Sequence, residues 1–335
     1  MKNIKADIIL ITGIAGFIGF HQALRMKKVG YKVVGIDNLN DYYDPQLKLA
    51  RLRELGITVV EEEGFTTNSD QSIIFYKGDI QDAALLEQIY QTHPFQGIIH
   101  LAAQAGVRYS VENPHAYVDT NIKGFLNILE LARAHTMEHV VYASSSSVYG
   151  MQAAQPFSEN DPCNHPVSLY AATKKANEMM AECYHHLYKI PLTGLRFFTV
   201  YGPWGRPDMA PMLFAQAIIE GRPIKVFNHG KQKRDFTYID DICEGVAQVY
   251  ESERLRGQHD ILNIGNGAPV NLLDFIETLE HALGKAVEKV FCDAQPGDVE
   301  ETYANTNNLD KYISFKTKVK ISDGIHHFTN WFKSY

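Results

Sequence analysis

The first half of the chain alternates short runs of β-branched and apolar residues with longer segments in which apolar positions recur at helical spacing. Strands are predicted at Ile8–Ile11, Lys32–Ile36, Ile73–Tyr76, Gly97–Leu101, Val140–Ala143 and Leu192–Phe198. Helices are predicted at Phe17–Val29, Asp82–Thr92, Ala116–Ala134 and Leu169–Tyr188. This alternation is typical of β-α-β crossover units. It predicts an α/β fold built around a parallel sheet.

The regular alternation weakens after Thr199, where Gly, Pro and aromatic residues become dense between positions 201 and 207. We therefore expect residues 1–198 to form one domain and residues 199–335 to form most of a smaller domain that is interleaved with the first. The polar stretch Thr58–Ser72, with its three consecutive glutamates, is predicted to be a solvated surface excursion.

Composition narrows the possible partners. The 335 residues include 32 Lys and Arg against 39 Asp and Glu, a net charge of −7, whereas proteins that bind nucleic acids or anionic membranes carry a cationic excess. The four scattered cysteines predict no disulfide framework and a reduced, cytoplasmic compartment. The apolar stretch Ile8–Phe20 is interrupted by glycines and is too short to span a bilayer, so it predicts a buried strand that leads into a helix.

A glycine-rich turn follows the first predicted strand and opens a helix, with Gly13, Gly16 and Gly19 in the spacing G-x-x-G-x-x-G. Glycines in this context let the backbone approach a pyrophosphate, whose charge meets the helix N-terminus. Asp37 ends the second strand, where a carboxylate accepts hydrogen bonds from ribose hydroxyls and repels a 2′-phosphate. Together these residues predict NAD as the cofactor.

Tyr170 and Lys174 lie four residues apart on a predicted helix and hence on one face. A free tyrosine titrates near pH 10, but a neighbouring cation favours the phenolate. Upstream, four serines from Ser144 to Ser147 follow a predicted strand, and their hydroxyls are candidates to share a substrate proton with the phenol. These residues predict a general-base site, although a serine-rich turn is the alternative for the tract alone.

These motifs, with Asp79-Ile80 after the third strand and Leu101 to Gln104 after the fourth, resemble the extended short-chain dehydrogenase/reductase family over nearly the whole chain. The resemblance implies a Rossmann-type doubly wound parallel sheet with a smaller mixed α/β C-terminal substrate domain. It also implies that Tyr170 is the base, that Lys174 lowers its pKa and orients the ribose, and that Ser145 assists. The implied cofactor contacts are Gly13, Gly16, Phe17, Ile18, Asp37, Asn38, Asp79, Ile80, Leu101, Ala103, Gln104, Asn121, Tyr170 and Lys174.

Within this family the segment Leu195–Ala210, with its turn Gly202-Pro-Trp-Gly-Arg206, is similar to nucleotide-sugar epimerases, most closely those that act on UDP-glucuronate. A uronate carboxylate must be paired when it leaves water, and Arg206 is the candidate partner. The substrate contacts implied by family position are Arg108, Ser145, Ser146, Thr199, Arg206, Lys225, Val226, Phe227, Arg234, Gln295 and Asp298. A structural salt bridge is an equal alternative for Arg108.

The resemblance implies NAD-dependent epimerisation of a UDP-hexuronate at C4 through a transient 4-keto sugar, and a homodimer formed by helices Ala116–Ala134 and Leu169–Tyr188. Related decarboxylases carry an acid directly before Val148, where this chain has Ser147. Three alternatives stay open: a 4-epimerase of UDP-glucose or UDP-N-acetylglucosamine, a UDP-glucuronate decarboxylase, and a non-catalytic NAD-binding regulator. The histidine pairs at positions 185–186 and 326–327 have no third ligand at useful spacing, so no metal is predicted.

Overall fold

A computed structural model describes residues 7–151, 155–294 and 299–335. The strands are β1 Ile8–Thr12, β2 Lys32–Asp37, β3 Thr66–Thr67, β4 Ile73–Lys77, β5 Gly97–His100, β6 His139–Ser145, β7 Leu192–Phe197, β8 Thr199–Tyr201, β9 Ile224–Val226, β10 Lys233–Arg234, β11 Phe236–Tyr238, β12 His259–Ile264, β13 Val270–Asn271 and β14 Lys289–Phe291. The helices are α1 Phe17–Lys28, α2 Pro45–Glu54, α3 Ala83–Thr92, α4 Tyr109–Glu112, α5 Pro114–Tyr117, α6 Phe125–His135, α7 Leu169–Tyr188, α8 Ala210–Glu220, α9 Ile239–Glu251, α10 Leu272–Leu283, α11 Asn307–Tyr312 and α12 Ile321–Ser334.

The described residues form one large sheet in the order β12-β7-β6-β5-β1-β2-β4-β3. All neighbours in this sheet pair in parallel except β3, which runs antiparallel to β4 at one edge. The chain moves outward from β1 through β2 and β4 and then returns to place β5 on the other side of β1. Ligands of open α/β sheets bind at such a reversal, beside the carboxyl ends of the strands.

Consecutive residues of a strand point to opposite sides of the sheet. Because both sides carry apolar residues here, helices cover both faces. In β1, Ile9 and Ile11 belong to the hydrophobic layer that includes α1 and α9, whereas Leu10 belongs to the layer that includes α3, α6 and α7. Both layers are apolar, which explains why the sequence shows near-continuous hydrophobic runs in these strands. The predicted doubly wound α/β fold is confirmed.

The C-terminal part contributes to the large sheet and also forms smaller ladders beside it. Its strands form three two-stranded ladders, β8 with β11, β9 with β14 and β10 with β13, beside α8, α10 and α12. Its strand β12 pairs with β7 in the large sheet. The two-domain division predicted from the sequence stays a prediction, but the chain crosses between the two regions after residue 199.

The predicted strands and helices of the first half lie within two residues of the observed ones, with one exception. The continuous helix predicted over Ala116–Ala134 is divided into α5, a π-helical turn at Val118–Gly124 and α6. Within this turn the carbonyl of Asn121 accepts a hydrogen bond from Asn177 Nδ2 at 2.6 Å. A side chain from α7 therefore bonds the backbone of the wider turn.

Three elements in the described first half of the chain, namely α2, β3 and the short helix α4, were missing from the predictions. Helix α2 begins at Pro45, and the Asp44 side chain accepts a hydrogen bond from the Gln46 amide, an N-cap that an Asp-Pro pair signals in the sequence. Strand β3 lies inside the stretch Thr58–Ser72, which was predicted to be a surface excursion. The three glutamates of that stretch are exposed, as expected. In the part of the chain that the structure describes, no helix is long and apolar enough to cross a membrane.

Candidate active site

A cavity of about 510 Å³ lies at the carboxyl ends of the central strands. Its wall contains the predicted cofactor residues Gly13, Gly16, Phe17, Ile18, Asp37, Asn38, Asp79, Ile80, Leu101, Ala103, Gln104, Tyr170 and Lys174. It also contains the predicted substrate residues Arg108, Ser145, Ser146, Thr199, Arg206 and Arg234. The fold therefore brings both groups of candidates into one connected space.

The glycine-rich turn between β1 and α1 has the shape that a dinucleotide requires. Gly13 has a positive φ of 73°, and a Cβ there would lie 2.8 Å from the Ala102 amide nitrogen. A Cβ on Gly19 would collide with the Gly13 carbonyl, so this glycine allows α1 to pack against the turn. At Gly16 a Cβ would meet only the Gly13 carbonyl group, at 3.0 Å to its oxygen, and would otherwise enter open space at the cavity wall. The turn thus presents bare backbone and the N-terminus of α1 to a pyrophosphate.

Acidic side chains mark the other end of the cofactor region. Asp37 at the end of β2 is buried and accepts hydrogen bonds from the amides of Ala15 and Leu39, at 3.1 and 2.9 Å. Asn38 donates its side-chain amide to Asp79 at 2.8 Å. The carboxylate of Asp37 therefore connects the glycine turn to the end of β2, and it has the position expected of a ribose partner.

Lys48 in α2 also lines the cavity, and the sequence analysis missed it because α2 was not predicted. Its ammonium donates to the carbonyl and the side-chain oxygen of Asn40, at 2.8 and 2.7 Å, and lies 5.1 Å from the centre of the Tyr43 ring. Burial lowers the pKa of Lys48. This places a cation close to the cofactor end of the cavity.

The candidate catalytic residues meet where β6 ends and α7 begins. Helix α7 is capped by the Ser168 hydroxyl, which accepts a hydrogen bond from the Ala171 amide at 3.1 Å and fixes the first turn that carries Tyr170. The Ser145 hydroxyl closes β6 and accepts from the amide and hydroxyl of Ser147, at 3.2 and 2.9 Å. Ser145 and Tyr170 thus occupy the same wall of the cavity from two rigid elements.

A cation other than the predicted Lys174 affects the pKa of Tyr170. Burial raises the pKa of Tyr170, and the hydroxyl of Ser145 and the charge of Arg206 oppose that rise. Lys174, which is buried, donates to the Ala143 carbonyl at 2.8 Å, and burial lowers its pKa to about 8. The role of Lys174 in lowering the pKa of Tyr170 stays a prediction, and the structure adds Arg206 as a cation that acts on the phenol.

Asn121 was predicted to contact the cofactor, but it does not belong to the cavity wall. Its side chain accepts from the Gln104 amide at 2.8 Å and donates to the Gln104 carbonyl and the Thr173 hydroxyl, both at 3.0 Å. Through Asn121 these bonds connect the loop after β5 to α7, and contact of its side chain with the cofactor stays a prediction. Asn121 thus fixes the backbone of Gln104, which itself lines the cavity.

Of the described substrate residues predicted after position 220, only Arg234 lines the cavity. Lys225 is exposed and Val226 is buried in β9, and neither these two residues nor Phe227 line the cavity. Phe227 lies beneath Arg108, whose guanidinium carbon is 5.5 Å from the centre of the ring. Arg108 forms no salt bridge within the described residues, in contrast to the structural alternative. Gln295 and Asp298 lie outside the described residues.

Arg206 is held by a carboxylate of its own loop. Its Nε and Nη2 atoms donate to the two oxygens of Asp208 at 3.0 and 2.5 Å, and the Tyr42 hydroxyl donates to Asp208 Oδ2 at 2.9 Å. Burial tends to lower the pKa of Arg206, but the bonds and charge of Asp208 raise it above its ordinary value. Burial and the Asp208 charge raise the pKa of Tyr42 to about 12. The guanidinium is therefore a permanent cation in the wall of the cavity.

A buried ion pair between Arg196 and Glu178 contacts Ser144 near the end of β6, and it was not predicted from the sequence. Arg196 donates to both oxygens of Glu178 at 2.8 and 2.9 Å, and the Ser144 hydroxyl donates to the same carboxylate at 2.7 Å. Burial alone tends to raise the pKa of Glu178, but the bonds from Arg196 and Ser144 and the Arg196 charge hold it below its usual range. The available signal was an arginine in the otherwise apolar strand β7.

No group of three or more His, Cys, Asp or Glu side chains in the described residues is arranged to hold a metal ion. All four cysteines are free thiols.

The geometry of the glycine turn, Asp37 and the Tyr170 site defines the class of Rossmann-type proteins that bind a nicotinamide dinucleotide. Residues 9–265 match the model of the NAD dependent epimerase/dehydratase family, so the chain belongs to that family. The predicted family resemblance and the predicted NAD cofactor are confirmed.

Individual relatives cover the whole length of the chain. It is 46% identical over 342 residues to the protein CapI of Staphylococcus aureus, with 98% of each chain covered. It is 44% identical over 339 residues to a probable UDP-glucuronate 4-epimerase of Rhizobium meliloti, with 96% of each covered. A crystal structure of UDP-glucuronic acid 4-epimerase from Bacillus cereus, in complex with UDP-glucuronic acid and NAD, is similar with a TM-score of 0.86 and 32% identity, covering 98% of this chain and 99% of that one.

Proposed function

We propose that the protein interconverts UDP-glucuronate and UDP-galacturonate by NAD-dependent epimerisation at C4, through a transient 4-keto sugar. The observation that carries this proposal is the guanidinium of Arg206, which lies in the same cavity as Ser145 and Tyr170. A neutral sugar has no need of a cation at this place, whereas a uronate brings a carboxylate that must be paired once it leaves water. The relatives named for activity on UDP-glucuronate support the same substrate.

The residues of this chain divide the chemistry among them. Tyr170 removes the proton of the 4-hydroxyl and later returns it, and Ser145 donates to or accepts from the same oxygen. Lys174 orients the nicotinamide ribose and adds positive charge near the phenol. Bound NAD would supply the hydride acceptor for C4 of the sugar and the donor for the return of that hydride. Because the hydride returns to the sugar, the reaction has no net redox change, and because it returns to the opposite face, the configuration at C4 is inverted.

The same intermediate explains why the residue before Val148 matters. A 4-keto uronate is a β-keto acid and can lose carbon dioxide, a reaction that related decarboxylases assist with an acid at this position. Here Ser147 supplies a hydroxyl that donates to Ser145 Oγ at 2.9 Å. We therefore expect the carboxylate to be retained through the cycle.

The nucleotide end of the substrate is assigned by charge. We propose that Arg108 and Arg234, which line the cavity, meet the diphosphate, and that Phe227, packed under Arg108, contributes to the uracil region. Lys225 and Val226, which do not line the cavity, stay predictions for this end, as do Gln295 and Asp298. We propose that Thr199 and Ser146, which line the cavity, contact the sugar beside Ser145.

We further propose a cytoplasmic homodimer formed by α6 and α7. These helices expose Leu126, Met179 and Leu187, with 39%, 60% and 59% of their surface accessible, on elements whose other faces are buried. Exposed apolar side chains on two adjacent helices favour pairing with a second copy. Sedimentation of the purified protein at micromolar concentration is expected to give twice the chain mass of 37.8 kDa.

The experiment that tests the substrate is a panel of UDP-glucuronate, UDP-glucose and UDP-N-acetylglucosamine, measured for the wild type and for Arg206→Met. We expect the variant to lose on the order of 10- to 100-fold in kcat/KM for the uronate, the value of one charge-assisted contact. The loss for the neutral sugars is expected to be smaller, because there only the effect of the Arg206 charge on Tyr170 is removed. Unchanged uronate kinetics would exclude the carboxylate role. No turnover of any sugar by a wild type that binds NAD would instead favour a regulator.

A further inference from the structure

The loop that carries Arg206 is attached to the cofactor turn by a second, fully buried arginine. Arg51 of α2 donates to the carbonyls of Trp204, at 3.1 and 2.7 Å, and of Gly205, at 3.3 Å, on one side, and to the carbonyl of Ala15 at 2.9 Å on the other. No carboxylate pairs with Arg51 in the described part of the chain. The backbone just before Arg206 is therefore fixed relative to the glycine turn.

The side chain of Arg206 is fixed separately. A guanidinium offers two edges that fit a carboxylate, one formed by Nε and Nη2 and the other by Nη1 and Nη2. Asp208 occupies the first edge, and the Tyr42 ring lies 5.9 Å from the guanidinium carbon. No hydrogen bond of the described residues uses Nη1. The second edge is thus available to a carboxylate while Asp208 keeps the first.

Tyr42 holds Asp208 in turn. Its hydroxyl donates to the carboxylate, and its ring packs on Tyr109, with ring centres 4.8 Å apart. A Cβ on Gly106 would lie 2.5 Å from the Tyr42 hydroxyl oxygen, so the loop after β5 has to approach this tyrosine without a side chain. The segment after β5 therefore packs on Tyr42 of the segment after β2, and Tyr42 holds Asp208 and Arg206 of the segment after β8.

We propose that Asp208, held by Tyr42, is a positioning residue that sets substrate specificity, because it orients the free edge of Arg206 toward the uronate carboxylate. This inference rests on the proposed function and names a part of the site that neither the motifs nor the relatives assign. Asp208 does not touch the sugar in this proposal. It prevents the guanidinium from turning about its long side chain, so the ordering cost is not incurred when the substrate binds.

Competition between Asp208 and the substrate carboxylate for Arg206 would change KM in the opposite direction. If Asp208 were a competitor that the substrate carboxylate has to displace, its removal would free Arg206 and tighten uronate binding. The two carboxylates use different edges of the guanidinium, so the geometry favours orientation over competition. The sign of the change in KM distinguishes the two.

The test compares Asp208→Asn and Tyr42→Phe with the wild type on UDP-glucuronate and UDP-glucose. The asparagine side chain keeps one acceptor oxygen but loses the charge and one of the two bonds to Arg206. We expect KM for UDP-glucuronate to rise about tenfold in Asp208→Asn, the equivalent of one charge-assisted bond, with kcat changed less than KM. Tyr42→Phe is expected to show a smaller rise of the same sign. KM for UDP-glucose is expected to stay near the wild-type value in both.

The exposed Asp274 in α10 supplies the matched control, since Asp274→Asn makes the same chemical change at a residue that does not line the cavity. A lower or unchanged KM for UDP-glucuronate in Asp208→Asn would overturn the inference, as would an equal loss for both sugars. Failure of the proposed function looks different, because then the wild type itself does not turn over UDP-glucuronate. Melting temperatures of all variants separate a loss of specificity from a loss of folding.

Discussion

The buried pair of Glu178 and Arg196 offers a direct test of how the end of β6 is stabilised. Both side chains are almost fully buried, at 3% and 2% exposure, and Arg196 Nη1 already has no hydrogen-bond partner among the described residues. Removing one member of such a pair leaves an uncompensated charge, which costs about 3–5 kcal/mol. We expect Glu178→Gln to cost about 3 kcal/mol, because glutamine still accepts one bond from Arg196. For a chain of 335 residues that corresponds to a fall in melting temperature of about 4 °C.

The dependence of this loss on pH has a defined sign. The folded-state pKa of Glu178 lies below its ordinary value, so its contribution to stability is complete above the unfolded pKa of about 4.3 and disappears as pH falls through the folded pKa. The difference in stability between wild type and Glu178→Gln is therefore expected to be constant from about pH 8 to pH 6 and to shrink below about pH 4.

Thermal unfolding of three variants at pH 7 tests this reasoning. Glu182→Gln, one turn along the same helix, removes an exposed partner of His259 and is expected to cost less than about 1 kcal/mol. Replacing Glu178 and Arg196 together by methionine is expected to recover much of the loss, since a buried pair can be exchanged for apolar side chains at little cost. The reasoning is refuted if Glu178→Gln is no less stable than Glu182→Gln.

Three further variants test the site. Tyr170→Phe removes the base, so kcat is expected to fall by about 10²–10⁴ while the NAD content of the purified protein stays at the wild-type level, and turnover within tenfold of the wild type would contradict the assignment. Gly19→Ala places a Cβ against the Gly13 carbonyl and is expected to weaken NAD binding on the order of tenfold, measured by titration of cofactor-stripped protein; a wild-type Kd would show that the turn tolerates the side chain. Ser147→Glu introduces an acid beside Ser145 and is expected to release some UDP-pentose from UDP-glucuronate, detected by chromatography; an unchanged product would show that this position does not control decarboxylation.

Local patterns in the sequence predicted the part of the site that is built from contiguous segments. The glycine turn, Asp37 at the end of β2 and the pair Tyr170 and Lys174 each depend on one strand end or one helix turn, so their spacing was sufficient to predict their place. Asn121 shows the limit of this approach. Its side chain bonds Gln104 and Thr173 and does not line the cavity, and only the packing of α7 against the π-helical turn determines this arrangement.

The residues that the sequence analysis missed depend on contacts between distant segments. Asp208 bonds Tyr42 across 166 positions of the chain, and Arg51 bonds Trp204 across 153. The aspartate and arginine in these pairs resemble ordinary surface charges when the sequence is taken alone, and the helix that carries Arg51 was itself not predicted. An arginine inside a buried strand, as at Arg196, was the one such feature with a signal in the sequence.

The central claim is that one hydride leaves C4 of a UDP-hexuronate and returns to the other face within the same active site. UDP-glucuronate labelled with deuterium at C4, incubated with the purified protein and followed by NMR, tests it directly. The account predicts UDP-galacturonate that retains deuterium at C4, with no accumulation of reduced NAD. Loss of the label to solvent, or UDP-pentose as the main product, would contradict it.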